Sequence, residues 1–234
     1  MIGVWANALT VAVGGLIGTF LRGGISEKFR ATVNHALGLC VLVIGISGAI
    51  ATKDMMGVIV SVVVGAGLGE AAGIEPALDR LGDWAQARFA RGDSSFSQGF
   101  VSATLLFCVG AMAVVGSLEA GLNNQPDTLL AKAALDGVAA VILASTMGPG
   151  VILSLVPLTI YQGGIALLAT HVAPLLSPAL IGELSAVGSV MIVALSLNML
   201  GLMKPRIKVA NLLPGMLVVL LYAPVAGWIA ARFM

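Results

Sequence analysis

One aspartate lies inside a long apolar stretch of this sequence, "AALDGVAAVILASTMGPGVILS" at residues 133–154. Ionisable side chains inside such stretches are costly and usually face a cavity or a partner, so each is a candidate functional group. Lys132 precedes Asp136 by four residues, a spacing that allows an ion pair along a helix. Asp136 is therefore either half of a stabilising ion pair or a binding site for a proton or cation, and the sequence favours neither.

Four uncharged amides also fall within apolar stretches, and they are Asn7, Gln162, Asn198 and Asn211. Gln162 is the most informative, because it lies in "YQGG" after Pro157, and proline and glycine can free backbone carbonyls to coordinate an ion. For any single amide, a hydrogen bond between helices is the simpler interpretation. Taken together, the four amides predict a polar cavity.

Glu183, in "LIGELSAVG", is a second acidic candidate. Alternatively, it is an interfacial carboxylate that lies at the positive end of a helix. The sequence has no HExxH, no GxSxG and no ATP-binding loop, and His35 and His171 fall on opposite sides of the predicted membrane. We therefore predict no enzymatic activity, no metal site and no cofactor. A weaker alternative is an intramembrane enzyme in which Asp136 and Glu183 share one cavity.

The composition identifies the surroundings of these side chains. The chain is 59% hydrophobic and 10% charged, and its mean hydropathy is +1.05. Soluble domains have about a quarter of their residues charged, so this composition predicts an all-α membrane protein whose main partner is the lipid bilayer. The net charge of +1 gives no indication of nucleic-acid binding.

Apolar runs of about 20 residues predict a single membrane domain, residues 1–234, with eight transmembrane spans. The predicted spans are 2–21, 35–52, 56–73, 98–118, 128–148, 150–171, 180–202 and 209–230. A single helix over 128–171 would be about 66 Å long against a bilayer core of about 30 Å, so the chain must turn at Gly148–Gly150. Two full spans and a pair of half-helices both remain open there. An amphipathic surface helix is predicted over about 75–90.

The distribution of basic residues predicts the orientation. Cytoplasmic loops collect Lys and Arg, and with the amino terminus outside, nine basic residues lie inside and three outside. The nine are Arg22, Lys28, Arg30, Arg80, Arg88, Arg91, Lys204, Arg206 and Lys208, and the three are Lys53, Lys132 and Arg232. This split supports eight spans with both termini outside. Seven spans would place the cluster at 204–208 on the wrong side.

Glycines predict an internal repeat and a packing surface. Spans one to three overlay on spans six to eight: Gly14-Gly15 fall on Gly163-Gly164, and Gly38 falls on Gly188. Because span one descends and span six ascends, the repeat would be inverted, an arrangement that points to a transporter's midplane site, although apolar helices also resemble one another by chance. Separately, Gly65, Gly69 and Gly73 recur every four residues, which predicts a face for close helix packing.

Five motifs resemble a bacterial inner-membrane family catalogued as domain of unknown function 554. The motifs are "GLCVLVIGI" (38–46), "LLFCVGAMAVVGSL" (105–118), "LDGVAAVILASTMGPGV" (135–151), "YQG" (161–163) and "NLLPG" (211–215). The resemblance covers nearly the whole chain and places Asp136, Gln162 and Asn211 inside matched motifs. It implies a protein of the bacterial cytoplasmic membrane, in a family often described as transporters but with no firmly established activity.

The sequence thus predicts a small secondary transporter or ion-coupled permease for an unknown solute or ion. In this interpretation Asp136 binds the coupling cation or proton, Glu183 is a second acidic site, and Gln162 and the three asparagines line the polar path. A homo-oligomer is compatible with so small a chain. The alternative is a non-transporting assembly factor, scaffold or sensor, in which polar side chains only hold helices together.

Overall fold

The computed structural model describes residues 1–24, 26–77, 80, 84, 95–108 and 110–222. Within these ranges the chain is helical and no β-strand occurs, which confirms the all-α prediction. The helices are α1 (Ile2–Arg22), α2 (Glu27–Ala49), α3 (Met55–Ala72), α4 (Phe96–Cys108), α5 (Ala111–Leu122), α6 (Asp127–Met147), α7 (Gly150–Leu167), α8 (Pro178–Met199) and α9 (Val209–Tyr222).

Six of these helices are long and apolar enough to cross a bilayer, namely α1, α2, α3, α6, α7 and α8. The pair α4 and α5 would add a seventh span if it counts as one crossing, although its two helices are bent by 60°. Helix α9 is apolar but shorter over its described part. The architecture is therefore that of a polytopic helical membrane protein, while the predicted number of eight spans stays a prediction.

Two predicted spans differ from the structure in their bounds, and two other predicted segments cannot be compared with it. Span 98–118 is interrupted and forms two helices. Helix α2 begins at Glu27 instead of residue 35 and ends at Ala49, because the polar stretch before His35 lowers hydropathy without preventing helix formation. The predicted surface helix at 75–90 and the end of the last predicted span, beyond Tyr222, fall largely or wholly outside the described residues.

The chain divides into two compact units. The first comprises Met1–Leu37 and Leu78–Leu175, and the second comprises Gly38–Ala77 and Leu176–Met234. Each unit combines segments that are distant in sequence. Local hydropathy contains no signal for this division, and the prediction of a single membrane domain stays a prediction.

In the first unit, α1 runs parallel to α6 and antiparallel to α7. Gly3 lies against Leu129 near the start of α6, and Gly18 lies against Val141 much further along. The order is reversed against α7, because Val4 approaches Gly163 and Gly15 approaches Ile152. Helices α6 and α7 therefore form an antiparallel hairpin.

The hairpin turns at Gly148, whose φ of 84° and ψ of −165° lie in a region that only glycine adopts easily. Beside this turn, Gly150 packs on the backbone of Phe96 at the start of α4. At the other end, Gly121 of α5 packs on the carbonyl of Ala166 near the end of α7. Despite its bend, the α4–α5 pair thus runs from one end of this helical bundle to the other.

In the second unit, two pairs of helices run antiparallel. Along α2, Gly38 approaches Leu200 and Gly48 approaches Ser189 of α8. Along α3, Gly57 lies beside Tyr222 and Gly69 lies on the backbone of Asn211, at opposite ends of α9.

The predicted packing face on α3 is confirmed for two of its three glycines. Gly65 meets the backbone of Gly215, and Gly69 meets that of Asn211. Gly73 instead ends α3 as a left-handed cap with a φ of 62°, where its N–H donates to the carbonyls of Glu70 and Gly69.

Candidate functional site

A polar cluster lies inside the first unit, where α1, α6 and α7 meet. The amide nitrogen of Asn7 donates to Asp136 Oδ2 at 3.0 Å and to Gln162 Oε1 at 3.2 Å. Lys132 Nζ donates to the same Asp136 oxygen at 2.5 Å. The structure therefore brings three of the six predicted site residues together and adds a fourth residue, Lys132, as their charged partner.

Close helix packing creates this arrangement. A Cβ at Gly14 would collide with the carbonyl oxygen of Gly137, so α1 and α6 approach one another more closely than larger residues would allow. Thr10 Oγ1 also donates to the Ala133 carbonyl at 2.7 Å, one turn from Asp136. These contacts hold Asn7 within hydrogen-bonding distance of α6.

All four side chains are buried. Asn7 and Gln162 are 0% exposed, Lys132 is 6% exposed and Asp136 is 7% exposed. Asp136 is the tenth residue of the 21-residue helix α6, so it lies near the centre of the helix. Removing two charges from water is expensive, and the close ion pair with its added amide hydrogen bond offsets part of that cost.

The structure resolves the two interpretations of Lys132 and Asp136 only in part. The ion pair exists at the i,i+4 spacing. Lys132, however, is a buried residue within α6 and not a loop residue, so it does not belong among the outside loop residues. Asp136 is thus a carboxylate with an internal cation in the middle of an apolar helix.

Two amide atoms in the cluster have no hydrogen-bond partner among the described residues, namely Asn7 Oδ1 and Gln162 Nε2. The orientation of Asn7 has a physical reason, since its NH2 group must face both the carboxylate and the Gln162 oxygen. Its own oxygen then points elsewhere, and the Gln162 nitrogen is left as a donor. A buried acceptor and a buried donor beside one carboxylate can bind a polar or cationic guest.

The other three predicted site residues belong to the second unit and make separate local contacts. Glu183 accepts hydrogen bonds from the Thr52 hydroxyl and, at 3.1 Å, from the Lys53 backbone N–H. Asn198 binds the backbone of Ile207 through both of its amide atoms, at 2.8 and 2.9 Å. Both residues connect α8 to a neighbouring loop, and any role in ligand binding stays a prediction.

Asn211 belongs to a different network. Its nitrogen donates to Glu70 Oε2 at 2.7 Å, and its oxygen accepts from the Glu75 N–H at 2.7 Å. Glu75 in turn accepts from the Ala210 N–H, and Lys208 pairs with Glu70 at 2.6 Å. These bonds join the end of α3 to the start of α9. Sequence reasoning missed this network, since its partners are more than 130 residues apart.

Among the residues that the structure describes, no three His, Cys, Asp or Glu side chains lie close enough together to hold a metal ion. The cluster at Asp136 offers one carboxylate, two amide oxygens and a lysine ammonium. Such a set can bind a proton, a monovalent cation or a small polar solute, since hard cations prefer oxygen ligands.

These features define a polytopic helical membrane protein with a buried ionic centre. The model of the family "Protein of unknown function (DUF554)" matches residues 2–223, and the chain belongs to that family. It is 30% identical over 222 residues to "Uncharacterized membrane protein YdfK" of Bacillus subtilis, covering 93% of each chain. It is also 30% identical over 236 residues to "Uncharacterized protein YqgA" of Escherichia coli, covering 98% of this chain and 100% of that one. No solved structure matches.

Proposed function

We propose that this protein is a secondary transporter or ion-coupled permease of the bacterial inner membrane, with both termini outside. The proposal depends mainly on one observation: Asp136 lies buried at the centre of α6 beside two buried amides, each with one unpartnered polar atom. Asp136 would bind the coupling ion, and Asn7 and Gln162 would contribute oxygen ligands. The energy would come from an ion gradient, with no cofactor and no enzymatic reaction.

The physical argument for a binding role is one of cost. A buried ion pair stabilises a protein less than well-packed apolar residues of the same volume often do. A buried polar network with unsatisfied members stabilises a protein less than either of these arrangements. The Lys132–Asp136 pair and the two partly satisfied amides are therefore a poor choice for helix packing alone, which favours selection for binding.

A non-transporting scaffold or sensor is the second candidate, and one observation supports it. Asp136 Oδ2 already accepts hydrogen bonds from Lys132 and Asn7, so the carboxylate is satisfied within the fold. In that case the cluster connects α1, α6 and α7 and does nothing further. Asp136→Asn would then change stability without altering the response to any ion or solute.

The thermal stability of the detergent-purified protein, measured against a panel of ions, pH values and small metabolites, separates the two candidates. A ligand at 100 times its dissociation constant stabilises the folded state by about 2.7 kcal/mol. We expect one ion or solute to stabilise the wild type and Asp136→Asn to abolish that response. Asp127→Asn is the matched control, because Asp127 is an exposed aspartate in the first turn of the same helix.

The outcomes are distinct. A stabilising ligand whose effect is lost in Asp136→Asn and kept in Asp127→Asn supports transport and identifies a class of ligand. A broad panel without any shift, together with a lower melting temperature for Asp136→Asn, favours the scaffold. Uptake of the identified ligand into proteoliposomes then tests transport itself, measured without an ion gradient and with gradients of either direction.

A further inference from the structure

We propose that the site at Asp136 exchanges one monovalent cation for one proton, and that the proton comes from Lys132. This inference rests on the proposed transport function and extends it to the class of ligand and the coupling. Lys132 acts as an internal cation that occupies the carboxylate when no external cation is bound. The basis is the geometry of the ion pair and its amide neighbours.

The first step concerns which cation occupies the Asp136 carboxylate. Lys132 Nζ lies 2.5 Å from Asp136 Oδ2, at the position where a cation would bind the same oxygen. The Asn7 side-chain oxygen has no hydrogen-bond partner among the described residues. Gln162 Oε1 accepts one described hydrogen bond, from the Asn7 nitrogen that also bonds Asp136. A cation at the carboxylate gains the Asn7 oxygen as a ligand only when the ammonium gives up its bond and the Asn7 amide rotates to turn that oxygen toward Asp136.

The second step concerns charge. With Lys132 protonated and Asp136 ionised, the buried cluster is neutral. An added monovalent cation would leave a net positive charge in an apolar helix bundle, which is strongly unfavourable. If an N–H bond of the ammonium breaks, its electron pair stays on Nζ and the proton passes to water, and the cluster is neutral again. A divalent cation would still leave one uncompensated charge, so the site should select monovalent cations.

The third step concerns neighbouring groups. The helices packed against α6 contribute few titratable side chains among the described residues. Cys108 on α4 lies within electrostatic range of both Lys132 and Asp136, Tyr161 on α7 is close to Cys108, and α5 carries the half-buried Glu119. On α1, Asn7 and Thr10 face α6 and neither titrates near neutral pH. Neither Asn7 nor Thr10 therefore replaces the ammonium as the counter-ion of Asp136.

Proton release on cation binding tests the exchange. The purified protein is titrated with LiCl, NaCl or KCl in two buffers that differ in protonation enthalpy, and choline chloride serves as the ionic-strength control. The difference in heat between the buffers counts the protons released per cation bound. We expect one proton per cation for the wild type, and no release on addition of MgCl2 or CaCl2.

Two variants assign the proton to Lys132. Lys132→Arg keeps the positive charge and the ion pair, but its guanidinium cannot be deprotonated in a protein. We expect it to fold, to bind the cation at least tenfold more weakly and to release no proton. Lys132→Gln removes the ammonium, so any proton that this variant releases on cation binding comes from the buried Asp136 carboxyl and not from residue 132. Lys208→Gln is the control, because it removes an exposed lysine–carboxylate pair with Glu70.

Each contrary result has a defined meaning. Cation binding to the wild type without proton release overturns the exchange and leaves the transport proposal intact. Proton release from Lys132→Arg equal to that of the wild type overturns the assignment to Lys132. Failure of all three monovalent cations to bind also overturns the inference, whereas the transport proposal fails only if the wider solute panel gives no response either.

Discussion

The amide of Asn7 is the central contact of the buried cluster. Its nitrogen bonds both Asp136 on α6 and Gln162 on α7, which are 129 and 155 residues away in sequence. A hydrogen bond to a charged group contributes more to stability than a neutral one does. One small side chain therefore connects three helices and orients the carboxylate.

Replacing Asn7 by alanine should lower the free energy of unfolding by about 1–3 kcal/mol, because Asp136 and Gln162 each lose a buried donor. Reversible unfolding in mixed detergent measures the change. Asn123→Ala is the control, since Asn123 is exposed after α5 and should stay within about 0.5 kcal/mol of the wild type. Equal effects of the two substitutions would show that the cluster contributes nothing to stability.

At the scale of helices, close approach at glycine determines which helices can pair. Lipid tails are as apolar as leucine, so helices in a bilayer associate through packing and hydrogen bonds and not through a hydrophobic drive. In both units the glycines make this packing possible by contacting backbone atoms of a neighbouring helix. Glycines that look alike in sequence nevertheless differ in structure, as two matched pairs show.

The first pair compares a glycine of α1, which packs on α6, with a glycine of α7. A Cβ at Gly18 would collide with the carbonyl oxygen of Val141, whereas a Cβ at Gly164 meets no atom within 4 Å. We expect Gly18→Ala to destabilise the protein by about 1–3 kcal/mol through forced separation of the helices. Gly164→Ala should cost nothing, since alanine is the better helix former. Detergent unfolding of both variants measures the difference, and a similar loss in both would refute the packing assignment.

The second pair lies on one helix, α3. A Cβ at Gly69 would overlap the backbone of Asn211, whereas a Cβ at Gly67 meets open space. Gly69→Ala should therefore destabilise the second unit by about 1–3 kcal/mol and loosen the contact between Asn211 and Glu70. Gly67→Ala should leave the melting temperature unchanged. If Gly69→Ala melted like the wild type, the close approach of α3 and α9 would be wrong.

At the scale of the whole molecule, helix directions within each unit agree with alternating spans. In the first unit, α1 and α6 are parallel, as predicted spans one and five must be. In the second, α2 is antiparallel to α8 and α3 is antiparallel to α9, as spans two and seven and spans three and eight must be. This agreement requires α4 and α5 to cross together as one bent span.

Cysteine labelling tests that topology. In a background with Cys40 and Cys108 replaced by alanine, single cysteines are introduced by Asn123→Cys after α5 and Met203→Cys between α8 and α9. Both positions are exposed. A membrane-impermeant thiol reagent should label the first in intact cells and the second only after permeabilisation. Labelling of both from the same side would contradict eight spans with both termini outside.

The inverted repeat illustrates the limits of pattern matching. Gly14 and Gly15 of α1 meet neighbouring atoms at close range, while their proposed equivalents do not: Gly163 has only distant neighbours and Gly164 has none within 4 Å. The two glycine pairs therefore occupy different packing environments. The repeat stays a prediction, and these glycines no longer favour it.

By itself, the sequence determined the class of protein, most helix positions and the candidates Asp136, Asn7 and Gln162. It could do so because a bilayer demands long apolar helices and makes each buried polar side chain conspicuous, which are local properties of the chain. Only the tertiary structure decided that Asn7 and Gln162 meet the Lys132–Asp136 pair, while Asn198, Asn211 and Glu183 make other contacts. Apolar helix faces resemble one another in sequence, and the choice among them depends on close backbone contacts between residues more than a hundred positions apart.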